Sequence, residues 1–247
     1  MGKMVDFEIR KKAVLATVIN HYIKEAEPVA SEDISREFGL SSATIRNIFS
    51  ELENEGYVVR PHTSAGRIPT YKGYRYYVDF LVEQMELIEE ERSRINDKYH
   101  KQHARNNLEE ILEQTSEVIS DVTHYASIVS SLEKQGKIFY NGISLILEQP
   151  EFQDVTKLRR IIKTLESRQE LLDLINRQEG AKIKIFIGQE LGCEGMEGCA
   201  LVISSYAPKR KPGGKLAVLG PARMEYQHII PTLEYVSQAL TDALEDL

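Results

Sequence analysis

A helical pattern that stops at Gly39, a tight turn through Leu40 and Ser41, and a second helical pattern from Ala43 to Glu55 constrain the fold of this chain most strongly. Ser31 precedes Glu32 and Asp33, a capping serine with acids in the first turn, and Ile34 and Phe38 can pack inward from the short helix that follows. Ser41 or Ser42 caps the next helix, whose buried face is Ile45, Ile48, Phe49 and Leu52 and whose stop is Gly56. Upstream, residues 6–24 predict a first helix with an apolar stripe of Val14, Leu15, Val18, Ile19, Tyr22 and Ile23, ended by Glu27-Pro28-Val29. The pattern is that of a helix-turn-helix.

The face of that last helix opposite Ile45 and Leu52 carries Ser42, Thr44, Arg46, Asn47 and Ser50. Arginine can address guanine with two hydrogen bonds and asparagine can address adenine, while small hydroxyl residues let a helix approach the groove floor. A merely solvated face would carry Glu and Lys, yet the acids here wait until Glu51, Glu53 and Glu55, the end that should point away from DNA. Charge follows the same logic. The chain has a formal net charge of −7, but residues 1–80 hold 11 Lys+Arg and 11 Asp+Glu, so the remaining 20 basic and 27 acidic residues supply the deficit. Two windows, Phe38 to Ser50 and Gly56 to Val78, contain no carboxylate at all. A surface meant for phosphate must keep carboxylates away, because each one cancels the gain from counterion release.

Tyr57-Val58-Val59 is an apolar, β-branched run, and Arg67-Ile68-Pro69-Thr70 follows a Pro- and Gly-containing segment, so the two predict short strands joined as a wing. Arg60, His62, Thr63, Ser64 and Arg67 are its candidate DNA contacts, and Lys72 and Arg75 are candidates for the DNA backbone. Tyrosines after Thr70 could stack on bases, but Tyr74, Tyr77, Val78 and Leu81 fall at helical spacing and predict an inner face instead.

These residues resemble the heat-inducible transcription repressor family HrcA. The resemblance rests on Glu27-Pro28-Val29, Ser42-Ala43-Thr44-Ile45-Arg46-Asn47, Gly56-Tyr57 and above all Pro61-His62-Thr63-Ser64-Ala65-Gly66-Arg67-Ile68-Pro69-Thr70 with Lys72-Gly73-Tyr74-Arg75. It resumes at Phe186-Ile187-Gly188, Ala200-Leu201-Val202, Leu219 to Tyr226 and Leu233 to Val236. The resemblance implies a repressor that binds an inverted-repeat operator in double-stranded DNA ahead of chaperone operons, acts as a homodimer, and depends on a GroE-type chaperonin. It also implies an N-terminal winged helix, a C-terminal GAF-like domain and a dimerising domain inserted into the latter. The chain departs from that pattern between Ile128-Val129 and Lys137-Ile138, where only Ser130 to Gly136 stand in place of further strands and the insert.

The expected fold class is therefore α+β: a winged helix-turn-helix at 1–80, a helical connector at 81–134, and a reduced GAF-like α+β domain with an antiparallel sheet at 135–247. From Phe80 to Ser131 the pattern is helical and highly charged, breaking into a hairpin near Arg105-Asn106-Asn107. Met85, Ile88 and Ile95 recur like a coiled-coil seam and Leu108, Ile111 and Leu112 open a second stripe, so these six are the candidates for dimerisation in place of the insert. The other reading of the same residues is a linker helix packed on its own C-terminal domain. Further on, Leu158 to Asn176 predicts a helix, Lys182 to Ile187, Cys199 to Tyr206 and Lys215 to Leu219 predict strands, and about His228 to Leu244 predicts a final helix.

Other function classes find no support. Gly213-Gly214-Lys215 is followed by Leu216 where a phosphate loop needs Ser or Thr, and Cys193 and Cys199 lie too far apart for a zinc or redox pair. No nucleophile elbow or paired catalytic carboxylates stand out, so no catalytic residue, metal or cofactor is assigned. No run of about 18 apolar residues occurs, and two cysteines suit a reducing compartment, so the expectation is a cytoplasmic protein without a membrane partner. Within the regulator class the alternative is a winged-helix protein whose GAF-like domain senses a small ligand.

Overall fold

The computed structural model describes residues 2–62, 66–81, 89–102, 107–132, 137–176, 182–209 and 211–245. It divides into two units, 1–84 and 85–247.

In the first unit, α1 (Gly2–Glu25) buries Val14, Leu15, Val18, Ile19 and Ile23, which recur every three or four residues along one face. It ends where Ala26 turns to φ 55, just ahead of Pro28. α2 (Ser31–Phe38) and α3 (Ser42–Asn54) follow, separated by Gly39 in the left-handed conformation at φ 61. Ser41, not Ser42, caps α3 by accepting a hydrogen bond from the Thr44 amide at 3.1 Å. The capping role predicted for Ser31 is not observed: it is already the first helical residue, buried, with its hydroxyl donating to Glu32. Ile34, Ile45, Ile48, Phe49 and Leu52 close the core against α1. Strands β1 (Val58–Val59) and β2 (Ile68–Pro69) pair antiparallel, Val58 opposite Pro69. Then α4 (Tyr71–Leu81) turns Tyr74, Tyr77 and Val78 inward, and the Tyr77 hydroxyl donates to Asn20 on α1.

The second unit begins with α5 (Glu89–Gln102) and α6 (Leu108–Thr123), the latter capped by the Asn107 side chain. Its sheet is antiparallel and has five strands in the order β4-β3-β7-β6-β5, with β3 (Ala126–Ser131), β4 (Ile138–Asn141), β5 (Ile183–Ile187), β6 (Cys199–Tyr206) and β7 (Gly214–Pro221). Strand residues alternate between two apolar faces. Ile128, Leu201, Ile203, Ala217 and Leu219 pack with residues of α7 (Ser144–Leu147), α8 (Val155–Glu166) and α9 (Arg168–Asn176). The opposite face, with Val129, Val202 and Val218, is covered by α6 and α10 (Tyr226–Glu245).

Two expectations are corrected and a third is narrowed. First, Ala126–Ser131 is a central strand and not the end of a helix, because His124 takes the left-handed conformation (φ 58) and stops α6. Second, the single helix expected at 158–176 is two, beginning at Val155 under the Asp154 cap and breaking at Ser167, whose ψ of 92° cannot continue a helix. Third, of the two readings of 81–134 the described residues favour the helix packed on its own C-terminal domain, since α6 lies against β3 and α10, and α5 lies against α6. Of the dimerisation candidates, Ile95 is 0% exposed, Ile111 5% and Leu112 1%, all inside their own unit. Leu108 is half-buried, and Met85 and Ile88 lie outside the described residues. Polar contacts fix α5 in the same place: the Tyr235 hydroxyl donates to Asn96 at 2.8 Å, Arg92 lies over the Tyr235 ring, and His228 stands 3.4 Å from Glu91. Ile95, Ile111 and Leu112 are thus core residues of their own unit and are not open to a second copy.

Candidate nucleic-acid interface

The N-terminal half of α3 is presented to solvent. Ala43, Arg46, Asn47 and Ser50 are exposed, and their spacing of three and four residues places them on one ridge of the helix. Ser42 and Thr44 are half-buried, and the Thr44 hydroxyl is 2.9 Å from that of Ser41 at the cap. Local hydrogen bonds hold the ridge down: Arg46 Nε donates to the Ser42 carbonyl at 3.2 Å and the Ser50 hydroxyl to the Arg46 carbonyl at 3.0 Å. The Asn47 amide has no protein partner among the described residues, so both of its hydrogen-bonding groups remain available.

The C-terminal half of α3 is gripped. Lys11, buried on α1, pairs with Glu55 at 2.6 Å and with Glu8 at 3.0 Å, and these hydrogen bonds, Glu55 foremost, hold its ammonium above the usual lysine range. Lys72 donates to the Glu55 carbonyl at 2.7 Å while lying 4.7 Å from the centre of the Tyr57 ring, a cation set against the negative end of the α3 dipole. Glu53 forms a 2.7 Å ion pair with Arg67. Glu53 and Glu55 are thus attachment points at the end of α3.

The wing is built from the string of residues around Gly66. Val29 and Arg67 exchange two backbone hydrogen bonds, both 2.9 Å, which tie the wing to the α1–α2 connection. A Cβ on Gly66 would fall 2.2 Å from the Val29 carbonyl oxygen, and one on Gly73 would fall 2.2 Å from that of Tyr57, so neither site has room for a side chain. The Thr70 hydroxyl donates to the Gly56 carbonyl at 2.7 Å and accepts from the Gly73 amide at 3.1 Å, joining wing to α4.

Among the wing candidates, Arg60 and His62 are exposed, and Thr63 and Ser64 lie outside the described residues. Arg67 is corrected: it is 6% exposed, with its guanidinium 5.7 Å from the Phe49 ring centre and paired to Glu53, so it cannot lie on phosphate from this position. Lys72 is exposed and donates to the Glu55 carbonyl at the C-terminal end of α3. Arg75 pairs with Asp79 at 3.3 Å. Sequence reasoning missed Ala43 on the ridge and the anchoring set Lys11, Glu53 and Glu55. Only the position of the acids hinted at the latter, since their partners are distant in sequence.

Elsewhere, Cys199 is buried and its thiol is pushed up to about 12 by desolvation, with the Glu197 charge adding to the effect. Among the described residues no group of three potential metal ligands comes together, and no helix is long and apolar enough to cross a membrane.

Comparison with known proteins agrees with this geometry. The family model described as winged helix-turn-helix transcription repressor, HrcA DNA-binding, matches residues 7–79, and that of the HrcA protein C-terminal domain matches residues 129–230. The heat-inducible transcription repressor HrcA of Desulforudis audaxviator is 30% identical, over 96% of this chain and 98% of the relative. This chain belongs to the HrcA family. The HrcA of Geobacter sulfurreducens is 29% identical, over 98% of this chain and 99% of that one. A solved structure titled as a hypothetical protein at 2.2 Å resolution shares the HrcA-type fold seen here, with a TM-score of 0.78 at 18% identity, over 96% of this chain and 98% of that one. The alignment to the first relative runs over 339 positions against 247 residues here, so about a hundred positions of that HrcA face no residue in this chain.

Proposed function

We propose that this protein represses transcription by reading an inverted-repeat operator in duplex DNA with α3, as a homodimer acting in the cytoplasm on chaperone operons and depending on a GroE-type chaperonin for its active form. One observation carries the reading. A helix that is held at its C-terminal end through Glu53 and Glu55 presents towards its N-terminal end a ridge of Ala43, Arg46, Asn47 and Ser50, free of carboxylates and rich in groups that match base edges. Arg60 and His62 on the wing supply contacts to the backbone, and no step of catalysis is required.

One winged helix offers few base contacts, so selectivity asks for two reading helices about 34 Å apart on a two-fold axis. With Ile95, Ile111 and Leu112 inside their own unit, the surface of the C-terminal unit takes over the contact between copies. Footprinting on the chaperone promoters of the source organism, with salt dependence recorded, tests the reading. Two protected half-sites one helical turn apart support it; protection that ignores sequence overturns it.

A further inference from the structure

We propose that Arg67 and Glu53 are a positioning pair that sets the angle between wing and reading helix, so that Arg67 governs base preference without touching DNA; this rests on the assignment of α3 as the reading helix. An arginine that neutralises phosphate must offer its guanidinium to solvent, and that of Arg67 is enclosed. Its Nη2 is 2.7 Å from a Glu53 carboxylate oxygen and its guanidinium carbon is 5.7 Å from the Phe49 ring centre. Phe49 and Glu53 stand one turn apart on α3, so a single side chain grips two points of the same helix. A planar guanidinium pairs with a carboxylate along its edge while its face meets a ring, and an ammonium lacks that fixed, flat edge.

The backbone of Arg67 is held independently. Its two hydrogen bonds to Val29 and the close approach of Gly66 to the same carbonyl fix β2 on the α1–α2 connection. The side chain then adds a direct tie between this fixed base and α3 at Phe49 and Glu53, beside the contacts that Lys11 and Lys72 make with Glu55 at its end. Glu53 and Thr44 are nine residues apart, about 13 Å along the helix axis. Tilting α3 by about 10° at Glu53 would displace the Thr44 turn by about 2 Å, enough to lose hydrogen bonds whose tolerance is a few tenths of an ångström. A change at this pair, enclosed on the Arg67 side and half-buried at Glu53, is therefore felt at Arg46 and Asn47, while the charge facing DNA is unaltered.

The test compares wild type, Arg67→Met, Glu53→Gln and the double variant on operator and random duplexes through a salt series, at a temperature where circular dichroism shows each folded. Arg67→Met is expected to lower the operator-to-random ratio by about tenfold, with the slope of log K against log salt unchanged within about 0.3. The double variant should be no less selective than the worse single, because both singles break one contact. It also leaves no unpaired buried charge, which preserves the test if a single variant unfolds. Arg67→Lys should recover selectivity only in part. A slope reduced by about 0.9 would put Arg67 on phosphate and overturn the proposal, as would additive losses or an unchanged ratio. Arg46→Ala is measured beside them: if it leaves base preference intact, the α3 assignment itself fails, whereas relaxed preference in Arg46→Ala alone rejects only the coupling.

Discussion

Gly66→Ala tests the close approach on which the wing is built. The added Cβ would sit 2.2 Å from the Val29 oxygen, 2.4 Å from the Val29 carbonyl carbon and 2.9 Å from the Ala30 nitrogen. All three are backbone atoms, so no side chain can swing aside. The wing must lift from the α1–α2 connection, opening the two 2.9 Å hydrogen bonds between Val29 and Arg67. Those bonds are worth about 1 kcal/mol each and the overpacking costs about 1–3 kcal/mol. Alanine restricts the unfolded chain and returns about 0.4–1 kcal/mol. The balance is a loss of about 2–5 kcal/mol, or roughly 10–40 °C in the melting temperature of a unit of this size. Differential scanning calorimetry is the assay, because the two units need not melt together. A transition of the N-terminal unit within about 2 °C of wild type would refute the steric reasoning.

Two further substitutions probe the C-terminal unit. Ile95 is 0% exposed, so Ile95→Lys should destabilise that unit by several kcal/mol, read as a lowered melting temperature, while light scattering on the folded fraction shows the wild-type oligomeric state; dissociation of a fully stable variant would restore the seam between copies. Cys199 should resist alkylation at pH 8 until denaturant opens the sheet, and rapid native labelling would contradict its burial. Below pH 9 its thiol is protonated in both states. From there to about 12 only the unfolded state loses the proton readily, so stability should fall with rising pH, and Cys199→Ala should flatten that part of the profile.

The N-terminal unit was legible in the sequence because its signals are local. Capping at Ser41, the glycines at 39 and 56, and apolar spacing in α1 and α3 each specify an element from within a few residues. Strand β3 was not legible: it is buried on both faces, so Ala126 to Ser131 shows no polar alternation and continues the apolar stripe of α6 without a Gly or Pro to mark the break. The break at Ser167 is silent for the same reason. At the site, the ridge on α3 could be read from helical periodicity, but the fate of the cations could not. Arg67 in a wing string looks free until Glu53 and Phe49, fourteen or more residues earlier, are brought beneath it. Sequence marks Arg60 and Arg67 alike as basic wing residues, and only the fold separates an exposed arginine from an enclosed one.

The most direct test of the account is the affinity of Arg46→Ala and Asn47→Ala for a mapped operator and for random duplex of equal length, by fluorescence anisotropy at fixed salt. Each substitution lies on an exposed ridge and should leave melting unchanged. The account predicts a loss of about 1–3 kcal/mol per half-site on operator, with random DNA bound nearly as before and base preference relaxed. Equal weakening on both duplexes would mean that these residues hold phosphate, and that α3 does not read sequence.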